Sequence, residues 1–285
     1  MKNAKQQGVY KKSVRWALIF LLSVLCILWL FPLYYIIITS FRTDDAVMFN
    51  GYALWPDPFT VDTYIQVFSD TSAAPVLTWF FNSLFVSVVS MLLIVIVDAM
   101  AAYGYARLHF KGRDVLFMGL MFTMMIPGVI NLVPQYSIIS ALGLRNNYAA
   151  LILPGIAGVG NIFLIRQFFY SVPKDFDEAA TIDGANEIRI FFYILLPQIV
   201  PVLVVVGLFS FLGSWNDLLW PLIVMTDNDM RTLTAGLSVL NGQYDREYAS
   251  KMAATVISAI PVLIIYLCAQ KFLLQGVSIS SGIKV

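Results

Sequence analysis

Six near-continuous apolar runs decide what this chain can fold into. They cover roughly 16–39, 81–106, 115–140, 148–169, 194–225 and 252–274. A helix of about 20 apolar residues crosses the hydrocarbon core of a bilayer. No water is present there to satisfy a stray backbone group, so a spanning segment must bond to itself. The expected fold is therefore an all-α polytopic membrane protein, with six transmembrane helices in a single domain over 1–285. The fifth run is long enough for part of it to project beyond the bilayer. Composition agrees: 59% of the 285 residues are hydrophobic and 12% are charged, against about 25% charged in an ordinary soluble domain.

The first run follows Lys11, Lys12 and Arg15 and superficially resembles a secretory leader. It is too long for a leader's apolar region, and "TSFRTDDAV" offers no small-residue cleavage site. It reads as a retained first span. Lysine and arginine then set the orientation. With the N-terminus inside, segments 1–15, 107–114, 166–193 and 271–285 hold 13 of the 18 basic residues. The outer segments hold Arg42, Arg145, Arg231, Arg246 and Lys251. Both termini are expected in the cytoplasm of a cell whose plasma or inner membrane carries the chain.

Helix breakers crowd three neighbouring runs. They are Pro127, Gly128 and Pro134; Pro154, Gly155, Gly158 and Gly160; and Pro197, Pro201 and Pro221. Proline frees a carbonyl that must find another partner or line a wet cavity. The pattern suits a bundle that bends or encloses a pathway, and it suits static kinking equally.

Several chemistries have no foothold. Cys26 and Cys268 lie inside apolar runs without zinc or redox spacing, as small buried hydrophobes would. His109, the single histidine, sits beside basic residues at a membrane edge. No basic tract points to nucleic acid. A membrane-embedded enzyme would show HExxH, paired DDxxD carboxylates or a nucleophile–histidine dyad, and none is present. No catalytic or metal-binding residues are expected. The outer segment 41–74 is acidic and proline-bearing but too short for a domain. The outer segment 226–250 mixes polar and apolar residues, as an ordered loop would.

One inner segment stands apart. "RQFFYSVPKDFDEAATIDGANEIRIFFYILLP" carries charge and small residues between two apolar runs. Ser171 with Pro173 can open a helix, and Asp175, Asp177 and Glu178 then complement the positive end of its dipole. Phe176, Ala179, Ala180 and Ile182 give an apolar, mostly small face. Asp183-Gly184 supplies a stop, with glycine free to turn left-handed. "ANEIRIFFYIL" restarts a helix that runs into the fifth span. Residues 171–193 thus form a helix, a turn and a second helix anchored by spans. Small residues permit close approach, and acids can bond a partner's arginines. The segment reads as a docking knob for a cytoplasmic protein. The alternative is a helix lying on lipid, although such helices usually have basic polar faces.

The same segment resembles the EAA loop of ABC importer permeases. Its pattern is Glu-Ala-Ala, three residues, Gly, nine residues, Ile-x-Leu-Pro, met here by Glu178, Ala179, Ala180, Gly184, Ile194, Leu196 and Pro197. "FPLYYIIITSFR", "WFFNSLFVSVVS", "AAYGYARLHFKGRD", "MIPGVINLVPQY", "FLGSWNDLLWPLIV" and "NGQYD" extend the likeness over nearly the whole chain. Together they are similar to the six-span permease subunits of carbohydrate importers of the maltose type. The resemblance implies a type I importer that brings a sugar or oligosaccharide into the cytoplasm. It implies a second, homologous permease, two ATPase subunits beneath, and an extracytoplasmic sugar-binding protein above. Glu178, Ala179, Ala180, Asp183 and Gly184 would couple to the ATPase. ATP and magnesium would belong to that partner, since this chain carries no GxxxxGK[ST] loop and would bind no cofactor.

Gly213, Asp217 and Trp220 are spaced to share one face of the fifth span, with Asn216 beside them. An acid and an amide between Trp215 and Trp220 suit a sugar pathway; a tryptophan belt with capped polar groups is the other reading. Asn241, Gly242, Gln243, Tyr244 and Asp245 resemble an outer loop that reaches into the binding protein. The C-terminal "SGIKV" resembles a tail touching the ATPase pair. Asp98 is a second intramembrane acid, either locally bonded or functional. An ion-coupled secondary carrier using Asp98 and Asp217 is the rival reading, and it leaves the EAA pattern unexplained. Asn82, Ser83, Ser87 and Ser90 make the start of the second span polar, for packing or for a pathway.

Overall fold

The computed structural model describes the backbone at residues 2–69, 74–243 and 248–281, and side chains at 14–69, 74–240 and 248–272. Every regular element among these residues is helical. The chain divides into two compact units, one formed by 1–69 with 241–257, the other by 70–240 with 258–285.

The first unit opens with α1 (Lys2–Ser40), whose Val14–Ser40 portion is long and apolar enough to span a membrane. Two short helices follow, α2 (Asp44–Phe49) and α3 (Asp62–Phe68). Arg42 holds the connection between them together. It is fully buried, and its guanidinium donates to the carbonyls of Gly51 (3.0 Å) and Ala46 (2.8 Å). Phe41 stacks on Phe59 at 5.3 Å. Asp44 accepts the Ala249 N–H at 2.7 Å, at the first turn of the last helix. Burial pushes its carboxyl up from the usual range, and the N–H groups of Ala249 and Ser250 pull it back.

The second unit is built around α4 (Val76–Ala106), the one unbroken span within it that precedes the last helix. After α4 come α5 (Arg113–Thr123), α6 (Leu132–Ala141), α7 (Tyr148–Ile152) and α8 (Val159–Ser171). The segment described below holds α9 (Asp175–Ile182), α10 (Glu187–Arg189) and α11 (Leu196–Gln198). Then follow α12 (Val200–Trp215), α13 (Leu219–Val224) and α14 (Leu233–Gln243). The final helix, α15 (Tyr248–Ser281), begins in the first unit and ends in the second. Helices α8 and α12 pack against α4. Ala99 and Ala102 of α4 lie fully buried with Phe169, Leu195, Val202 and Val206. Alanine lets helices approach closely where lipid gives little hydrophobic drive.

The three breaker-rich runs are each split. Arg113–Thr123 and Gly128–Ala141 meet at 92°, Tyr148–Gly155 and Val159–Ser171 at 47°, and Glu187–Gln198 and Val200–Trp215 at 83°. Among the described residues, three helices are long and apolar enough to span singly, and up to six spans result if each bent pair counts as one. Each run that carries clustered breakers is thus bent. Pro127 ends the first half of its pair by removing a donor and forcing the residue before it out of the helical region. At the third break, Pro197 and Pro201 flank Ile199 and cannot donate to the carbonyls four residues back. The backbone answers with a π-helical stretch, Ile190–Leu195, just upstream.

Candidate functional site

Segment 171–193 folds as a helix, a turn and a second helix. Its opening differs from the sequence expectation. Ser171 closes α8 instead of opening α9, and its hydroxyl donates back to the Phe168 carbonyl at 2.7 Å. Val172, which precedes a proline, is extended. Helix α9 starts at Asp175, with Asp175, Asp177 and Glu178 in its first turn. At the other end Gly184 has φ +80°. The Ala185 N–H reaches the Ala180 carbonyl (2.9 Å) and the Gly184 N–H the Thr181 carbonyl (3.0 Å). This is a Schellman closure, which satisfies carbonyls that a helix end leaves orphaned. A Cβ on Gly184 would meet nothing within 4 Å, so backbone conformation alone demands glycine there. Asn186 then caps the restart by accepting the Arg189 N–H at 2.9 Å.

The apolar face expected on α9 is divided. Ala180 is 7% exposed and packs in the core with Ile190 and Phe191. Phe176, Ala179 and Ile182 are exposed, Ile182 by 86%. Glu178, Asp183 and Gly184 are exposed beside them. An acid, a small residue and a bare isoleucine thus share the outward side, while Asp177 and Ala180 hold the inward side.

The inward grip comes from the end of α4. Arg107, its side chain 5% exposed, pairs with Asp177 at 3.3 Å. It also donates to the Phe169 and Val172 carbonyls, both at 2.7 Å. One turn earlier, the Tyr103 hydroxyl bonds Glu187 Oε2 at 2.5 Å. Burial raises the Asp177 carboxyl above its usual range, and the Arg107 charge lowers it in part. A cavity of about 510 Å³ lies between these elements, lined in part by Tyr103, Arg107, Arg113, Lys174, Asp177 and Glu178. His109, exposed, borders it as well. Arg166 joins the cluster, bonding the Tyr105 carbonyl and lying 3.9 Å over the Phe117 ring. Sequence reasoning treated Arg107 as topological charge and missed both Tyr103 and Glu187. Their partners lie 60 to 90 positions away, and only the helical spacing of 103 and 107 hinted that they act together.

The fifth-span residues do not share one helical face. Helix α12 ends at Trp215 and α13 starts at Leu219. Asn216 is exposed and its amide donates back to the Leu212 carbonyl at 2.9 Å. Asp217 faces the N–H groups of Leu218, Leu219 and Trp220 at the start of α13. Such local bonding competes with helix continuation. Trp220 is 7% exposed, and its indole N–H donates to the Ala150 carbonyl at 2.8 Å.

Asp98 is fully buried at the second break. Both of its oxygens accept the Gly158 N–H, at 3.0 and 3.2 Å, and it bonds the Asn161 side chain. A Cβ on Gly158 would fall 2.6 Å from that amide. Asn82 is also spent on the fold: it donates to the Asp229 and Arg231 carbonyls and accepts from the Tyr148 hydroxyl. Ser83 accepts the Leu233 N–H, and Ser87 bonds Ser214. Asn241, Gly242 and Gln243 lie in the last turn of α14. Tyr244 and Asp245 lie outside the described residues, as does 282–285 of the C-terminal tail. Among the described residues, no group of three His, Cys, Asp or Glu side chains is gathered as a metal site.

Residues 4–279 match the family described as binding-protein-dependent transport system inner membrane component. The arabinooligosaccharides transport system permease protein AraQ of Halalkalibacterium halodurans is 36% identical over 271 residues, covering 94% of this chain and 96% of that one. The diacetylchitobiose uptake system permease protein NgcG of Streptomyces coelicolor is 32% identical, covering 93% and 87%. Among solved structures, a chain of a bacterial ABC transporter involved in the import of the acidic polysaccharide alginate superposes with a TM-score of 0.79 at 25% identity, covering 90% of this chain and 94% of that chain. The chain therefore belongs to the binding-protein-dependent transport system inner membrane components, as a multi-pass, non-catalytic permease subunit with the type I ABC permease fold.

Proposed function

We propose that this chain is one of two permease subunits of an ATP-driven importer that carries a sugar or oligosaccharide into the cytoplasm. Its six spans form one permease domain over 1–285, with both termini cytoplasmic. The carbohydrate class is supported by the relatives, which are named for arabinooligosaccharides and diacetylchitobiose, and by the alginate transporter. A second permease, two ATPase subunits and an extracytoplasmic binding protein complete the assembly. ATP and magnesium are handled by the ATPases.

The observation that carries the coupling role is the outward side of α9. Glu178, Ala179 and Ile182 are exposed together, while Arg107 and the Schellman turn hold the helix from behind. An exposed acid and a small residue on a rigid support suit the cleft of a partner protein. The orientation is supported by Arg107, Arg113, Arg166 and Lys174, which gather at one end of the second unit. Asn216, Asp217 and Trp220 remain the pathway candidates, although the fold already occupies Asp217 and Trp220. Asn241–Asp245 is the candidate loop toward the binding protein. The ion-coupled alternative gains nothing specific, because Asp98 and Asp217 each face backbone N–H groups.

The test is Gly184→Val. A β-branched residue strongly disfavours the left-handed conformation, so the turn should open while insertion into the membrane stays normal. Affinity purification of the variant should recover little ATPase. Full recovery would remove α9 as the docking element.

A further inference from the structure

We infer that Tyr103 and Arg107 are positioning residues that carry the movement of the coupling segment into α4. This rests on the docking role proposed above for α9. The two side chains stand four residues apart, so they project from one face of α4. Tyr103 reaches Glu187, which follows the turn, and Arg107 reaches Asp177, which precedes it. The two limbs of the hairpin are therefore gripped by a single helix face.

Arg107 makes a further connection. The same guanidinium bonds the Phe169 and Val172 carbonyls at the end of α8. A cation is favoured at a helix C-terminus, and Asp177 belongs to the first turn of the next helix. One side chain thus joins the end of α8, the start of α9 and the end of α4. Its planar fork allows this; the single ammonium of lysine cannot reproduce it. Apolar packing from α9 to the body runs through Ala180, a small contact that resists sliding poorly. The polar bonds are directional and resist it well. Helix α4 is in turn the element on which α8 and α12 pack. A displacement of α9 delivered to α4 is therefore delivered to the bundle.

The experiment uses the assembled transporter, purified with its ATPases, in a background with Cys26 and Cys268 replaced. An environment-sensitive fluorophore is placed at Ile182→Cys on α9 or at Leu92→Cys on α4, both exposed positions. A non-hydrolysable ATP analogue with magnesium is the probe. In the parent, both labels should respond to nucleotide. In Arg107→Lys and in Tyr103→Phe the ATPases should remain bound and Ile182 should still respond. The equilibrium constant for the change at Leu92 should fall by about tenfold, the weight of one lost hydrogen bond to a charged group. An undiminished Leu92 response in both variants would overturn the inference, as would loss of both responses together with the ATPases, which would mark a docking defect. Tyr103→Phe removes a single hydroxyl and carries the test if Arg107→Lys does not accumulate. Failure of the underlying reading looks different: Gly184→Val would then retain its ATPases, and the parent's Ile182 label would ignore nucleotide.

Discussion

At 183–186 the chain turns through Gly184 and leaves Glu178, Ala179 and Ile182 facing outward. At 216–218 it breaks and turns its polar groups back on itself. Asn216 bonds Leu212, Asp217 faces the N–H groups of α13, and Trp220 donates to Ala150. Both interruptions carry an acid and an asparagine between helices. They differ in whether the fold uses those groups. Asp177 satisfies the structural need on α9, and Glu178 beside it is left exposed. In the second region no such division exists, and the acid and indole that look like a ligand site are already engaged. A polar residue in a membrane protein is therefore informative only once its partners are known.

The largest effect that would break this contrast is expected at Trp220. Trp220→Ala should cost about 3–5 kcal/mol, the usual range for a large buried aromatic. It should lower the thermal unfolding midpoint of the detergent-solubilised protein. A stable variant with altered sugar preference would instead make Trp220 part of the pathway. Glu178→Ala should leave stability within about 0.5 kcal/mol, as exposed substitutions do. It should weaken ATPase recovery by about 1.5–3 kcal/mol if the carboxylate meets a charged partner. Equal losses of stability and recovery would erase the difference between the two regions.

The smallest effect concerns Asp177. Burial raises its folded carboxyl above the ordinary value of 3.8. Protonation therefore favours the folded arrangement. The contribution is fully present below that value and is lost as pH rises through the raised one. Asp177→Asn should flatten this part of the pH dependence of thermal unfolding, read from just below 3.8 upward. A parent protein that instead gains stability over that window would show that Arg107 outweighs burial.

How much of this was legible in the sequence follows from the range of each interaction. Asp175, Asp177, Glu178 and Asp183-Gly184 act within a few residues of themselves, so the helix and its stop could be placed. Ser171 was misassigned because a serine before proline can serve the helix on either side of it. The apolar runs marked where candidate spans lie, but the breaks at Ile156–Gly158 and around Ile199 depend on where freed groups find partners. For Gly158 the partner is Asp98, sixty positions earlier. Tyr103 and Arg107 were hidden for the same reason. A basic residue at the end of an apolar run is read first as a marker of sidedness, and its carbonyl and carboxylate partners are invisible in one dimension.

The π-helical stretch Ile190–Leu195 has a consequence for how the chain tolerates changes in length. Each residue of an α-helix advances the side-chain direction by about 100°. A wider turn absorbs one more residue without that advance, as an inserted residue would. Ile190, Phe191, Leu195 and Ile199, which lie in or next to it, all reach the core. Removing one residue between 190 and 195 would let the stretch tighten to an α-helix while the flanking side chains keep their directions. The spacing between the turn at Gly184 and the proline pair thus has one residue of slack built into it. A one-residue deletion there should be tolerated better than one within the α-helical run Val200–Trp215, where every later side chain would turn by about 100°.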